Sequence, residues 1–335
     1  LAKVKGGVKL MKVAIAGYYG FDNAGDEAIL SAIISSLRRG HNDKRHDLKL
    51  TVLSANPDKT AKNYGVQAID RFNFSKIYKI FKEVDLFLIG GGSLLQDVTS
   101  RKSILYYLGL IYLAQKLKLP VLFYAQGVGP ITGNLSRIML PKVLNQVDRI
   151  TVRDENSKEL LLKLGVKKSI QVTADPVFGM VLPEDSELKE IIDRESLNLD
   201  KNTIGISVRY WQENNNYLSI LAKVLDRINE ELEVNILFLP LHYPIDLEAS
   251  REVRKKMETE AQILEGEYHP RQIAGLFTKL SLLIGVRLHS LIFAAINRVP
   301  MIGISYDPKI DNFLARLDMQ SVGKVEDLKE TKLHN

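Results

Sequence analysis

From residue 12 onward, short apolar runs alternate with amphipathic stretches, and that rhythm leaves few folds open. KVAIAG (12–17), LKLTVLS (48–54), VQAI (66–69), VDLFLIGGGS (84–93), PVLFYAQG (120–127), RITVRD (149–154) and SIQVTADP (169–176) read as strands. Helices are expected over 26–38, 103–117, 135–147 and 156–164. Most of these strands lack the polar alternation of a half-exposed strand, so both faces must be covered. Residues 183–202, PEDSELKEIIDRESLNLDKN, are charged and lack a strong core face, and the domain junction is placed there. The rhythm then restarts. TIGISVRY (203–210), VNILFLPLH (234–242), AQILEG (261–266), LSLLIGVRLHS (280–290) and PMIGISYD (300–307) read as strands, with helices between them and a last one from residue 308. Two such blocks predict an α/β protein of two Rossmann-like doubly wound domains, residues 11–180 and 181–335, facing across a cleft. The first ten residues, LAKVKGGVKL, read as a basic extension.

With 335 residues, 45% of them hydrophobic, the chain can bury two cores. It has no cysteine, which excludes disulfides, a thiolate nucleophile and a cysteine-ligated metal, and fits a reducing cytoplasm. The net charge of +6 is spread along the chain and favours anionic ligands or an anionic membrane surface. It is too small to argue for nucleic acid without a recognition motif, and none is present. No apolar run has the length of a membrane span, and residues 1–10 lack the apolar stretch of a signal peptide. A cytoplasmic protein is expected, with peripheral contact at the inner face of the membrane as the further option. Oligomeric state is not readable.

In open parallel sheets ligands bind beyond the carboxyl ends of the strands, so the residues there matter most. After the first strand comes GYYGFDNAGDEAIL (17–30). It is neither a dinucleotide fingerprint nor a Walker loop, and the second strand lacks a terminal acid for a ribose diol. Its glycines could serve only the tight turn. Its polar set, Tyr18, Tyr19, Asn23 and Asp26, suits a sugar better than a phosphate. GGGS, with Gly91, Gly92 and Ser93, could present amides to an anion, or simply pack closely. Arg137 follows AQGVGP, Arg153 and Asp154 end another strand, and Asp175 precedes a proline. In the second half Arg209, His242, Arg287, His289, Asp307 and Lys309 stand at strand ends. Each alone has an ordinary structural explanation. Together they form the pattern for a small, densely charged anion plus a proton-transfer group.

At these residues the sequence resembles the polysaccharide pyruvyl transferase family. It is most similar to the branch that acts on bacterial secondary cell-wall polysaccharide, the anchor of S-layer proteins. GYYGFDNAGDEAIL, GGGSLLQD, QGVGP, TVRD, ADPVF, ISVRYW, GVRLHS and GISYDPK carry the resemblance, in family order over nearly the whole chain. It implies a GT-B-like fold, phosphoenolpyruvate as co-substrate and no cofactor or metal. It also implies a lipid-linked N-acetylmannosamine-type acceptor, with a 4,6-linked pyruvate ketal as product. By the resemblance Arg287, His289 and Lys309 contact the donor, together with a first-half arginine, Arg137 or Arg153. Arg209, Gly91, Gly92 and Ser93 join the expected donor set, and Tyr18, Asn23 and Asp26 the acceptor set. His289 is the candidate acid, since an ordinary histidine pKa near ~6.5 allows proton transfer in both directions. Asp175 or Asp26 is the candidate base. The rival readings are a GT-B glycosyltransferase using a nucleotide sugar, a non-catalytic sugar- or anion-binding protein, and a nucleic-acid binder.

Overall fold

The computed structural model describes residues 10–40, 48–97, 101–211, 215–330 and 333, so positions 1–9 of the expected basic extension lie outside the described residues. The chain divides into two compact units. One comprises the chain up to Phe21 together with Asp26–Met180. The other comprises Asp22–Gly25 and Val181–Asn335.

The first unit alternates β1 (Met11–Ala16), α1 (Ala24–Gly40), β2 (Leu48–Ser54), α2 (Pro57–Tyr64), β3 (Gln67–Asp70), α3 (Phe74–Glu83) and β4 (Leu86–Gly90). It continues with α4 (Arg101–Lys116), β5 (Val121–Gln126), α5 (Asn134–Leu144), β6 (Arg149–Val152), α6 (Glu155–Lys163) and β7 (Ile170–Val172). Its strands form one parallel sheet in the order β3-β2-β1-β4-β5-β6-β7. β1 is the pivot, with Val13 beside Leu50 on one side and Leu86 on the other. Val13, Ala14, Ile15 and Ala16 are all buried, as a strand covered on both faces requires. Phe81, Phe87, Tyr107 and Phe123 anchor a core between the sheet and α3, α4 and α5.

The second unit contains α7 (Asp185–Arg194), β8 (Thr203–Ser207), α8 (Asn216–Leu232), β9 (Asn235–Phe238), α9 (Ile245–Lys256) and β10 (Gln262–Ile263). After these come α10 (Pro270–Leu276), β11 (Leu282–Gly285), α11 (Leu288–Ile296), β12 (Met301–Ser305), α12 (Pro308–Ala315) and β13 (Gly323–Lys324). Its parallel sheet runs β10-β9-β8-β11-β12-β13. Each unit is therefore the doubly wound parallel α/β layer that the strand–helix rhythm predicts. No helix among the described residues is long and apolar enough to cross a membrane.

Three helices depart from the sequence reading, which places no element at 57–64 or 74–83 and finds no strong core face in 183–202. α2 is short and mostly polar, but Asn56 caps it by accepting from Lys59 N–H, Pro57 starts it, and Gly65 ends it in the left-handed region. α3 is capped in the same way by Asn73 and buries only Ile77 and Phe81. α7 has a capping box, Glu184 with Glu187, and buries Leu188 and Ile191. These helices rest on caps and two inward residues each, a weaker periodic signal than that of the long helices. The strands are also shorter than read. β4 stops at Gly90 and β11 at Gly285, so the motif residues beyond them stand in the connecting turns.

Candidate active site

An open parallel sheet has its crevice where the strand order reverses. In the second unit that point lies between β8 and β11, and in the first between β1 and β4. The turns leaving these four strands carry Arg209 and Arg287 in the second unit, with His289 just inside the following α11, and Gly17–Phe21 and Gly91–Ser93 in the first.

In the second unit Arg287 is the N-cap of α11. Its Nε donates to Asp246 Oδ2 at 2.8 Å, and its Nη2 donates to the other oxygen of the same carboxylate. Asp246 is fully buried and also accepts the His242 backbone N–H at 2.9 Å. Burial pulls the Arg287 pKa down, but the Asp246 carboxylate, joined by Tyr306 and Tyr217, outweighs it and leaves the group above the ordinary arginine value. The fork is thus fixed in direction and permanently charged.

Arg209, beyond β8, lies with its guanidinium carbon 4.5 Å from the Tyr306 ring centroid and 5.2 Å from that of Trp211. Its backbone N–H donates to the Tyr217 hydroxyl at 3.1 Å. Lys309 sits in the first turn of α12, with Nζ 5.3 Å from the Tyr306 centroid and 3.3 Å from Asp307 Oδ2. Burial pushes the Tyr306 phenol up, yet Lys309, Arg209 and Arg287 outweigh it and hold the group below the ordinary tyrosine value. One phenol therefore registers the field of three cations from three different strand ends.

His289 stands in the first turn of α11, two residues after Arg287. Its ring packs on Gly25: a Cβ built there would lie 2.1 Å from His289 Nδ1, so only glycine fits. Residues 22–25 are held to this unit by backbone bonds, Ala24 N–H to the Leu241 carbonyl at 2.7 Å and Tyr243 N–H to the Asp22 carbonyl at 3.1 Å. Asn23 bridges to His242, and its side-chain oxygen accepts Gly25 N–H at 3.1 Å. Asn23, expected from the sequence to meet a sugar, thus spends that oxygen inside its own turn and sets Gly25 against the imidazole.

In the first unit Arg153 follows β6 and is buried. Its Nη1 donates to Asp175 Oδ2 at 2.9 Å and its Nη2 to Ser93 Oγ at 2.8 Å. Asp175 Oδ1 accepts Val177 N–H at 3.1 Å, so both oxygens of this carboxylate are engaged. Arg137, in the first turn of α5, is exposed. Gly91 and Gly92 are left-handed, at φ +37° and +82°; a Cβ at Gly91 would lie 2.3 Å from Ile29 Cγ2, and its N–H donates to the Tyr124 carbonyl. Close packing is therefore part of what Gly91 does. Asp26, in the first turn of α1, faces Gly92, with Oδ1 3.1 Å from where a Cβ would stand. Tyr19 is buried and donates to the Gly90 carbonyl at 3.1 Å, a structural tie. Tyr18 is partly exposed and stacks on Phe21 with centroids 4.1 Å apart.

Three residues join these clusters that sequence reasoning passed over. Asp246, in HYPID, lies inside α9 and is linked to Arg287 only by the meeting of α9 with the turn after β11. Tyr306 was legible as the residue before DPK, but the convergence of cations on it was not. Arg71, after β3, is buried among the rings of Phe21, Phe72, Tyr106 and Tyr107.

A family model described as polysaccharide pyruvyl transferase matches residues 23–308. No curated protein sequence matches the chain. Among solved structures, the MnaA–UDP co-structure from S. aureus is similar with a TM-score of 0.65 at 12% identity, over 97% of this chain and 86% of that one. UDP-GlcNAc 2-epimerase from Neisseria meningitidis, bound to UDP-GlcNAc, gives 0.64 at 14%, over 97% and 89%. ADP-heptose LPS heptosyltransferase II from E. coli gives 0.54 at 13%, over 97% and 96%. At these identities the likeness concerns the fold, which is GT-B-like.

Proposed function

The chain belongs to the polysaccharide pyruvyl transferase family, and on that premise we propose that it moves the enolpyruvyl group of phosphoenolpyruvate onto a hexosamine of a lipid-linked cell-wall precursor. The product is a 4,6-ketal of an N-acetylmannosamine-type sugar, and phosphate is released. The observation that carries the reading is the group in the second unit: Arg209, Arg287 and Lys309 around Tyr306, with His289 two residues beyond the Arg287 cap.

Phosphoenolpyruvate carries a carboxylate and a phosphate on one small enol, a charge density that three cations suit. Arg287, held in a fork by Asp246, takes one anionic group bidentately, and Arg209 and Lys309 share the other. A proton then adds to the methylene carbon, and a sugar hydroxyl bonds to the neighbouring carbon. His289 supplies that proton and is recharged by the proton that the attacking hydroxyl loses. The C–O bond to phosphate breaks with its electron pair leaving on the phosphate. The second sugar hydroxyl closes the ring and its proton goes to the released phosphate, so one donor and one diol become one ketal and one phosphate. Cationic groups suit the loss of phosphate because negative charge grows on it.

For the first-half arginine of the donor set we favour Arg153 over Arg137. Arg153 is buried and aimed by Asp175 and Ser93, whereas Arg137 is exposed on a helix. Asp175 then orients Arg153, and Asp26 takes the role of candidate base. Tyr18, partly exposed and with one face stacked on Phe21, is the candidate acceptor contact.

The test is phosphate release from phosphoenolpyruvate, with and without a synthetic lipid-linked acceptor bearing N-acetylmannosamine, with mass spectrometry of the product. Acceptor-dependent release with the mass gain of one pyruvate ketal is expected. No release, together with transfer from a nucleotide sugar, would leave the fold standing and overturn the donor.

A further inference from the structure

One helical face of the first unit combines exposed aromatic and aliphatic side chains with a one-sided charge. Phe72 is 62% exposed and Phe74 57%, at the entrance of α3; Tyr112, on α4, is 50% exposed. Leu135 and Ile138, both on α5, are each 56% exposed. The helices are neighbours. Phe72 and Phe74 meet Tyr106 of α4 at centroid distances of 5.6 and 6.4 Å, and Gln115 of α4 donates to the Val143 carbonyl of α5 at 2.8 Å. α3 carries three lysines against one glutamate, while α4 and α5 carry basic residues and no acid. The chain as a whole is far closer to balance, with 46 basic and 40 acidic residues. Lys82 lies over the Tyr78 ring at 4.7 Å and Lys116 over the Tyr112 ring at 5.1 Å, so the two kinds of side chain are interleaved.

We propose that the α3–α4–α5 face of the first unit docks on an anionic lipid bilayer. The proposal is independent of the transfer chemistry. Lysine stems lie along apolar surface while their heads reach lipid phosphates, and tyrosine and phenylalanine rings settle at the headgroup level. A second copy of the chain is a poor occupant, because pairing the face with itself would set lysine against lysine. Nucleic acid would use the lysines and rings but has no need of exposed Leu135 and Ile138. The rim of the face also points toward the opening loop. Phe21, stacked on Tyr18, contacts Arg71, whose guanidinium in turn touches the rings of Phe72 and Tyr106. Packed rings thus link the helical face to the loop after β1, with Arg71 buried among them.

The experiment is co-sedimentation of the full chain with vesicles of phosphatidylcholine alone and of phosphatidylcholine mixed with phosphatidylglycerol. Binding is expected only to the mixed vesicles and is expected to weaken with added salt. Lys76→Gln/Lys79→Gln/Lys82→Gln should weaken it about fivefold per lysine removed. Phe74→Ser/Tyr112→Ser should weaken it with the melting temperature unchanged, since both side chains are exposed. Equal binding to both vesicle types, or no binding to either, overturns the proposal. So does a lysine variant that loses affinity for a DNA duplex or RNA while the aromatic variant binds the mixed vesicles as the parent does.

Discussion

At the scale of single residues, the sharpest constraint is Gly25. It is the only residue type that leaves room for the His289 imidazole, and the Asn23 turn fixes it there. Gly25→Ala should push the ring aside and lower kcat by roughly 10²-fold, the usual cost of about 1 Å of misplacement, with the donor KM little changed. His289→Ala should cost ~10²–10⁴-fold in turnover; near-normal rates would remove His289 from the proton-transfer role. Asp246 makes a different prediction. Its fully buried carboxylate is the partner of Arg287, so Asp246→Ala leaves a guanidinium unmatched in the interior. A loss of about 3–5 kcal/mol in urea unfolding is expected. An Asp246→Ala protein as stable as the parent would mean that Arg287 finds another counter-charge.

At the scale of elements, caps decide where helices begin, and one cap titrates. His269 precedes α10, and its Nδ1 accepts Arg271 N–H at 3.3 Å, which requires that nitrogen to be unprotonated. Burial, then the nearby Arg271 charge, lowers the His269 pKa to about 4. As pH falls below about 6.5 the unfolded chain takes up this proton first, so folded stability drops. The stabilisation is complete above about 6.5 and is lost as pH approaches about 4, a span worth about 3 kcal/mol. His269→Asn keeps a capping acceptor that does not titrate. Its unfolding free energy should fall less steeply between these pH values than that of the parent, and parallel slopes would discard the assignment.

At the scale of the whole molecule, a ligand that binds the folded chain alone raises its melting temperature. Phosphoenolpyruvate at about 100 times its Kd should add about 2.7 kcal/mol, a shift of a few degrees in a scanning experiment. Lys309→Met and Arg287→Ala should shrink the shift, and an undiminished shift would place the donor elsewhere. What the sequence determined by itself was the two-block α/β plan and the strand ends that carry charge. Continuous apolar runs leave only strands covered on both faces, and such strands deliver their functional residues beyond their carboxyl ends. The short helices α2, α3 and α7 escaped because caps and two buried residues make a weak periodic signal. Only the tertiary structure decided which charges meet. Strand order sets β8 beside β11 although 74 residues lie between Ser207, where β8 ends, and Leu282, where β11 begins. Asp246 reaches Arg287 across 41 positions, and Arg153 reaches Ser93 across 60. Pairings over such separations depend on sheet order and helix packing, which no local pattern of residue types encodes.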